Sequence, residues 1–186
     1  MTLSLPEPFT LALDLRSGAM QPYTTHIQRR ASDLRGAFSD TQTLERLIED
    51  GDPLIYEVLQ FDVPEETGQL ISCTTVLHPG SVGDEFYMTK GHYHSVRETA
   101  EVYLGLSGQG YLLLMTEEGD CDAKPMGPGT LAYVPPCWAH RSVNTGTEPY
   151  VSLAVYPADA GHDYEAIDQL GFRQRVLRGA DKPIVR

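Results

Sequence analysis

The sequence predicts an all-β fold, a sandwich or barrel with a few short helices. Short apolar runs recur along the middle of the chain, and turn residues separate them: the 186 residues include 17 glycines and 13 prolines. Strands of this length and spacing are typical of antiparallel sandwiches and barrels. Apolar residues make up 41% of the chain, which is enough for a core, and the length suits one domain.

Eight extended runs are predicted in the middle of the chain, most of them rich in β-branched or aromatic residues. They cover residues 53–63, 69–78, 85–94, 101–115, 121–126, 130–136, 140–145 and 150–158. Gly108, Gln109 and Gly110 interrupt the fourth run and predict a hairpin turn within it.

The two ends of the chain differ from the middle. Residues 1–38 predict an irregular arm with one apolar stretch, PFTLALDL. SDTQTLERLIEDG, residues 39–51, predicts a helix that Ser39 caps and Gln42 completes as a capping box. HDYEAIDQLG predicts a second helix. We therefore expect a single domain over 1–186, with an arm and helix at 1–50, a barrel at 53–158 and a helix and tail at 159–186.

Charge and cysteine usage exclude several classes of protein. A net charge of -12 argues against a nucleic-acid binder but is compatible with a small anionic substrate. No apolar run reaches the ~18 residues that a membrane span needs. Cys73, Cys121 and Cys137 show no CxxC spacing, and the first residues lack the basic start of a signal peptide. We expect a protein of the reducing cytoplasm.

TKGHYHSVRETAEVY, residues 89–103, carries the chemistry. His92 and His94 are two residues apart, so on a strand they point to the same side. Glu101 begins the next predicted strand, which we expect to be the antiparallel neighbour, and His140 begins a later one. Three imidazoles and a carboxylate suit a first-row divalent metal ion. The HxH pair alone is equally compatible with two surface histidines.

The wider pattern resembles the two motifs of the cupin superfamily. PGTLAYVPPCWAHRSVN forms the second block, and the positions that match are Gly108, Gly129, Pro135, His140 and Asn144. In cupins the first block supplies HxH and Glu and the second supplies the last His. The resemblance implies a jelly-roll-like β-barrel. Cys137 departs from the pattern, because cupins usually have glycine there.

Within the cupins, the chain resembles the cupin-type phosphoglucose isomerases. Six residues separate His94 from Glu101, whereas most cupins have a shorter gap. GLSGQGYLLL, RRASDLRGAF and YPADAGHDY also match signatures of that family, and the similarity runs from about Arg29 to about Tyr164. The resemblance implies a metal-dependent isomerase that interconverts glucose 6-phosphate and fructose 6-phosphate in glycolysis and gluconeogenesis.

The resemblance also implies roles for individual residues. The metal ligands are His92, His94, Glu101 and His140. The residues that bind the sugar phosphate are Tyr56, Thr75, Thr89 and Gly91, with positive charge from Lys90. The residues at the sugar end are Tyr103, Tyr156 and His162. Hydroxyls and a glycine amide are donors that suit a phosphate dianion. Without the resemblance, Thr75 and Tyr56 are more simply ordinary strand residues, Tyr156 a core aromatic and His162 a residue at a helix start.

Several alternatives stay open at this point. The resemblance implicates Glu101 in catalysis as well as ligation, and Tyr156 and His162 as groups that move hydroxyl protons or assist ring opening. An enediol route and a hydride shift between C1 and C2 both fit. The ligand set suits iron, manganese, nickel, cobalt or zinc, and the resemblance favours iron(II), one ion per subunit of a homodimer. An iron-dependent dioxygenase would not need Thr75, Thr89 and Gly91, and a sugar-phosphate sensor would bind without turnover.

Overall fold

A computed structural model describes residues 7–186, so the first six residues of the predicted arm lie outside the described part. The described residues form short strands and a few helices. The strands are β1 (Ala12–Leu13), β2 (Met20–Gln21), β3 (Thr25–Arg30), β4 (Leu54–Phe61), β5 (Leu70–Leu77), β6 (Ser81–Val82), β7 (Glu85–Phe86), β8 (Glu101–Ser107), β9 (Gly110–Met115), β10 (Cys121–Met126), β11 (Leu131–Val134), β12 (Ala139–Asn144), β13 (Tyr150–Pro157), β14 (Val176–Leu177) and β15 (Ile184–Val185). The helices are a 3-10 helix (Ala31–Leu34), α1 (Thr41–Glu49) and α2 (Tyr164–Leu170).

Two sheets enclose the core. The larger has the order β11-β8-β13-β5-β4-β3, and every neighbouring pair in it is antiparallel. The smaller has the order β10-β9-β12, also antiparallel. Leu112 and Leu114 of β9 share one hydrophobic cluster with Ile55 of β4 and Leu77 of β5. The space between the sheets therefore holds both the core and, at one end, an open cavity.

Side chains of the large sheet alternate between its two faces, as the period of a strand requires. Thr75 on β5 faces the cavity between the sheets. Thr74 faces the other way and donates a hydrogen bond to the carbonyl oxygen of Gly18, at 2.6 Å. Gly18 has φ +76, and a Cβ there would lie 2.8 Å from side-chain carbons of Val76 and Val151. The arm therefore covers the outer face of the sheet, and glycine permits its close approach.

The arm is more regular than its sequence suggested. Residues 25–30 form β3, which pairs with β4 and joins the large sheet, so the expected irregular arm is wrong for this segment. THIQRR alternates half-buried and exposed residues, the signal of an edge strand. In the apolar stretch, Ala12 and Leu13 pair with Gln21 and Met20 of the same chain. The domain boundaries given above stay predictions.

The hairpin expected within residues 101–115 is wrong. Both apolar runs are strands, but β8 lies in the large sheet and β9 in the small one. Gly108 has φ +72, and a Cβ there would lie 2.3 Å from the carbonyl oxygen of Pro149. The glycine turn therefore carries the chain from one sheet to the other. Turn residues announce a change of direction but do not specify which strand pairs with which.

Both predicted helices form, with one different cap. The α1 helix is capped by Asp40, whose carboxylate accepts from the backbone N–H of Thr43 at 2.9 Å. Ser39, the expected cap, instead donates its backbone N–H and hydroxyl to Glu85. Asp163 caps α2 by accepting from the N–H of Ala166. No helix within residues 7–186 is long and apolar enough to cross a membrane.

Candidate active site

The predicted metal ligands lie together in the cavity end of the core. One ligand atom from each of His92, His94, Glu101 and His140 lies within 4.8 Å of the other three. We call these four residues the ligand cluster. Glu101 is the first residue of β8, and His140 is the second residue of β12. The cluster therefore joins the large sheet to the small one.

The two neighbouring histidines are not on a regular strand, contrary to expectation. The run predicted at 85–94 is a strand only over Glu85–Phe86, and His92 afterwards forms an isolated bridge with His140. The strand β8 pairs with β11 and β13, so Glu101 is not in the antiparallel neighbour of the histidine segment. The carboxylate instead meets the imidazoles across the space between two sheets.

Gly91 permits this course of the backbone. It has φ +75, which is unfavourable for residues with a side chain. A Cβ at this position would lie 2.6 Å from the Phe172 ring and 3.0 Å from the carbonyl oxygen of His140. The glycine thus ends the extended run and places His92 against β12.

Hydrogen bonds fix the tautomer of His94. Its Nδ1 lies 2.8 Å from the hydroxyl oxygen of Thr99 and 3.3 Å from the carbonyl oxygen of the same residue. A carbonyl can only accept, and the hydroxyl donates to the carbonyl of Val96 at 2.6 Å. Nδ1 of the neutral ring therefore carries the proton, and Nε2 presents a lone pair to the cluster.

A similar arrangement recurs at His140. Nδ1 of His140 faces the carbonyl oxygen of Trp138 at 3.4 Å, which again favours a lone pair on Nε2. Nε2 of His92 is buried and has no hydrogen-bond partner among the described residues. Metal-binding histidines in proteins commonly show this pattern, with the second ring nitrogen held by an oxygen.

The contacts to Glu101 require a cation. Its Oε2 lies 3.1 Å from Nε2 of His94 and 2.8 Å from Nε2 of His140, without hydrogen-bond alignment in the second case. Lone pairs on both sides of such contacts repel one another unless a proton or a metal ion lies among them. Three imidazole nitrogens and one carboxylate oxygen are a donor set that first-row divalent ions favour. The residues therefore fit a metal ion.

Burial and charge keep Glu101 and His92 in their deprotonated forms. Burial alone would raise the pKa of Glu101, but without a metal ion the positive charge and N–H donation that His140 and His94 can supply outweigh it and lower that pKa to about 2. The pKa of His92 falls well below its ordinary value, first because of burial and then because of His140, His162 and His94. An ionised carboxylate and a neutral imidazole are the states that metal binding needs.

A cavity of about 420 Å³ opens beside the cluster. Its lining includes every predicted substrate residue but one: Tyr56, Thr75, Thr89, Gly91, Tyr103, Tyr156 and His162. Lys90 is the exception. Its ammonium group lies outside this cavity, 3.0 Å from the carboxylate of Asp168 on α2.

Several hydroxyl groups line the cavity. The oxygen of Thr89 accepts from the backbone N–H of Ser142 at 3.1 Å, which leaves its own proton available. Burial, followed by the neighbouring Tyr164, raises the pKa of Tyr56 to about 12, so this phenol is a donor at neutral pH. Thr75 on β5 pairs in register with Val58 on β4, and Val58 lies two residues after Tyr56 on that strand. These groups can donate to one anion.

The cavity also carries aromatic and imidazole groups near the cluster. The ring centres of His162 and His92 are 4.4 Å apart, and those of Tyr103 and His140 are 5.7 Å apart. The hydroxyl of Tyr156 donates to Gln60 at 3.1 Å. Burial, with a further contribution from Glu101, raises the pKa of Tyr103 well above its ordinary value. Burial also lowers the pKa of His162, although that residue is exposed on one side.

Comparisons with known proteins place this arrangement in a family. The family model described as "Glucose-6-phosphate isomerase (GPI)" matches residues 28–182. Glucose-6-phosphate isomerase of Thermococcus litoralis is 48% identical over 180 residues, covering 97% of this chain and 94% of that protein. The protein of the same description from Pyrococcus abyssi is 50% identical, covering 92% and 90%.

The chain belongs to the glucose-6-phosphate isomerase family. The expected enzyme class and the cupin type are thereby confirmed. Among solved structures, oxalate oxidase in complex with the substrate analogue glycolate aligns with a TM-score of 0.52 at 13% identity. The alignment covers 65% of this chain and 60% of the oxalate oxidase chain. At this identity the likeness concerns the fold alone. It agrees with the predicted cupin fold.

The cavity of this isomerase also contains residues that the sequence analysis missed. Polar ones among them are Arg29, Gln60, Glu65, Ser142, Asp159 and Tyr164. Ser142 lies two residues after His140 on the same strand, so the two-residue period of strands could have predicted that it faces the cavity. Tyr164 lies two residues after His162. Arg29 pairs in register with Tyr56 through β3, a strand that we did not predict. Thr99 was likewise missed, because it contacts a ligand and not the cavity.

Proposed function

We propose that this glucose-6-phosphate isomerase interconverts glucose 6-phosphate and fructose 6-phosphate at the ligand cluster, in glycolysis and gluconeogenesis. The observation that carries the proposal is the convergence of three imidazole lone pairs on one ionised carboxylate beside a cavity with hydroxyl donors. The cluster would hold one divalent ion per subunit. Iron(II) is our first choice, ahead of manganese, nickel, cobalt and zinc, which suit the same ligands.

The phosphate group would bind at the hydroxyl groups that line the cavity. Thr75, Thr89 and Tyr56 offer hydroxyl protons, and Gly91 lets the backbone N–H approach without a side chain in the way. Arg29, which also lines the cavity, adds a positive charge. Lys90 would contribute positive charge to the phosphate only from outside the cavity, because its ammonium group pairs with Asp168.

The reacting carbons would then lie near Glu101, Tyr156 and His162. When bound, the metal ion supplies Lewis-acid stabilisation of negative charge on substrate oxygens. In the enediol route from the aldose, Glu101 takes the C2 proton and returns it to C1, while a hydroxyl proton passes from O2 to O1. His162 and Tyr156 are placed to carry that hydroxyl proton. In the hydride route, hydrogen moves from C2 to C1 with its electron pair, and Glu101 serves as a ligand only.

A coupled assay on fructose 6-phosphate tests the proposal. Chelated protein should lose turnover and regain it with iron(II) or manganese(II). His92→Ala, His94→Ala and His140→Ala should each lower bound metal in elemental analysis, because each removes a ligand. Full turnover by protein shown to be metal-free would contradict the proposal. Oxygen consumption without isomerisation would favour a dioxygenase, and binding without turnover would favour a sensor.

We also propose that the enzyme is a cytoplasmic homodimer. The three cysteines are free thiols, which suits a reducing compartment. Leu131 and Tyr133 on β11, the edge strand of the large sheet, are 63% and 58% exposed, as interface residues often are in an isolated subunit. Sedimentation equilibrium at micromolar protein should give twice the subunit mass, and a monomer there would contradict the dimer.

A further inference from the structure

A second cavity lies behind the wall of the active-site cavity. Its volume is about 250 Å³, and it lies among the 3-10 helix, α2 and the segment after α2. Thr89 and Gly91 line the active-site cavity, whereas Lys90 between them lines the second one. One short segment therefore separates the two spaces.

The lining of this second cavity is strongly cationic for an acidic chain. Four of the 14 basic residues line it: Arg35, Lys90, Arg141 and Arg175. Two acidic residues, Asp33 and Asp168, line it as well. The local excess of positive charge contrasts with a net charge of -12 for the whole chain.

Three of these cations have acidic partners. Lys90 pairs with Asp168 at 3.0 Å, Arg35 pairs with Glu45 at 2.8 Å, and Arg175 pairs with Glu85. Arg141 forms no ion pair within residues 7–186. Glu85 also stabilises the charge of Arg141 electrostatically, but that carboxylate already pairs with Arg175.

Arg141 is also the most deeply buried of the four, with 3% of its surface exposed. Its Nε and Nη2 donate to the carbonyl oxygen of Lys90, at 3.2 and 2.5 Å, and its guanidinium lies 4.3 Å from the ring centre of Phe172. Its Nη1 has no hydrogen-bond partner in the described part of the chain. Burial, followed by Arg175, lowers the pKa of this guanidinium to about 10, so it remains charged at neutral pH.

A buried cation without an ion pair of its own is costly, and an anion in the adjoining space would lower that cost. The planar guanidinium presents N–H groups in the geometry that phosphate oxygens accept. A volume of 250 Å³ corresponds to about eight water molecules at about 30 Å³ each. The space can therefore hold a phosphate group with a small organic portion.

We propose that this second cavity binds a small phosphate-bearing anion, anchored by Arg141. The site is separate from the substrate phosphate site, because Arg141 lines only the second cavity. Arg35, on the more exposed side of the cavity, would add a weaker contact through a side chain that already pairs with Glu45.

Calorimetric titration with inorganic phosphate tests the site. The metal-loaded enzyme is first equilibrated with saturating glucose 6-phosphate and fructose 6-phosphate, which occupy the active site. We expect one phosphate per subunit, and Arg141→Met should weaken its binding by about tenfold or more, the effect of losing a charged hydrogen-bonding partner. Arg178→Met is the matched control, because Arg178 stacks on Phe86 outside the cavity.

A second variant and a second ligand test the same proposal. If Arg141→Met does not fold, Arg35→Met changes only a half-exposed side chain and should still weaken phosphate binding severalfold. Titration with glycerol 3-phosphate distinguishes two possible ligands of the second cavity. Tighter binding than that of inorganic phosphate, with the same dependence on Arg141, indicates a phosphorylated metabolite. Weaker binding than that of inorganic phosphate indicates free phosphate. No binding by the parent enzyme at about 10 mM phosphate, or equal weakening by Arg178→Met, would overturn the proposal.

Discussion

Thr99 determines which nitrogen of His94 faces the ligand cluster. Thr99 does not line the active-site cavity, yet its side-chain hydroxyl and its backbone carbonyl oxygen both accept from Nδ1 of that histidine. A ring that turned over would present a protonated nitrogen to the metal site. Groups of this kind typically change metal affinity by about 10- to 100-fold when they are removed.

We expect Thr99→Val to lower metal affinity by about tenfold, because valine keeps the shape of threonine but loses the hydroxyl acceptor and leaves only the more distant backbone carbonyl at 3.3 Å. Thr99→Ser should retain parental affinity, and Thr147→Val, at an exposed loop position, should change nothing. Competition with a chelator, followed by elemental analysis, measures the affinity without reference to turnover. Equal affinities for the Val and Ser variants would refute the positioning role.

Glu101 is the residue on which the reaction route depends. We expect Glu101→Gln, saturated with metal, to keep a kcat lower than that of the parent by more than about tenfold, because the amide cannot accept a proton. Steady-state assays with excess iron(II) measure this. Parental kcat in the saturated variant would contradict a proton-carrying role.

Deuterium uptake separates the two routes. Product formed in heavy water by the parent enzyme should carry deuterium at the transferred position if Glu101 takes the proton and exchanges it with solvent. Product with almost no deuterium would favour the hydride route and leave the isomerase activity itself intact.

At the scale of elements, the ligand-bearing segments depend on two backbone positions in the left-handed region. Gly91, with φ +75, precedes His92, and Cys137, with φ +69, lies between β11 and β12. The N–H of Cys137 donates to the carbonyl oxygen of Arg97 at 2.7 Å, which joins this turn to the loop after His94. The left-handed φ explains why the cupin pattern has glycine where this chain has cysteine.

Substitution at Cys137 should therefore depend on backbone preference and not on side-chain chemistry. Cys137→Gly relieves the left-handed strain but gives the unfolded chain more freedom, so we expect a change in unfolding free energy within about 1 kcal/mol. Cys137→Val should destabilise by about 1–2 kcal/mol, because β-branched residues rarely adopt this conformation. Urea denaturation measures both, and equal stability of the two variants would contradict this account.

At the scale of the whole molecule, the ligand cluster joins the two sheets. Without a metal ion, its titratable groups make the folded state more stable at neutral pH than in acid. Burial lowers the pKa of His92, so below its ordinary value of 6.5 the unfolded chain binds a proton that the folded chain does not. Glu101 acts at lower pH. Its pKa falls from 4.5 to about 2, so its stabilising contribution is complete above 4.5 and disappears between 4.5 and 2. Both groups therefore lower the stability of the folded chain as the pH falls.

We expect the chelated protein to lose about 1 kcal/mol of unfolding free energy between pH 7.5 and pH 5.5 because of His92, since one pKa unit corresponds to about 1.4 kcal/mol. His92→Asn should flatten this dependence, because asparagine does not titrate. Urea denaturation at the two pH values provides the measurement. A chelated parent protein as stable at pH 5.5 as at pH 7.5 would contradict the prediction.

The sequence by itself determined the all-β class from its spacing and turn residues, and its motifs indicated the isomerase family and the clustered residues through their resemblance to that family, since all of these are local properties of a chain. Only the tertiary structure decided that Glu101 meets His140 across two sheets, that residues 25–30 extend the large sheet, and that Gly108 leads from one sheet to the other. Strand pairing and the contacts of Thr99 and Arg141 depend on residues far apart in the chain. A two-residue period specifies which way a side chain points, but the partner that it meets is specified by how the sheets pack.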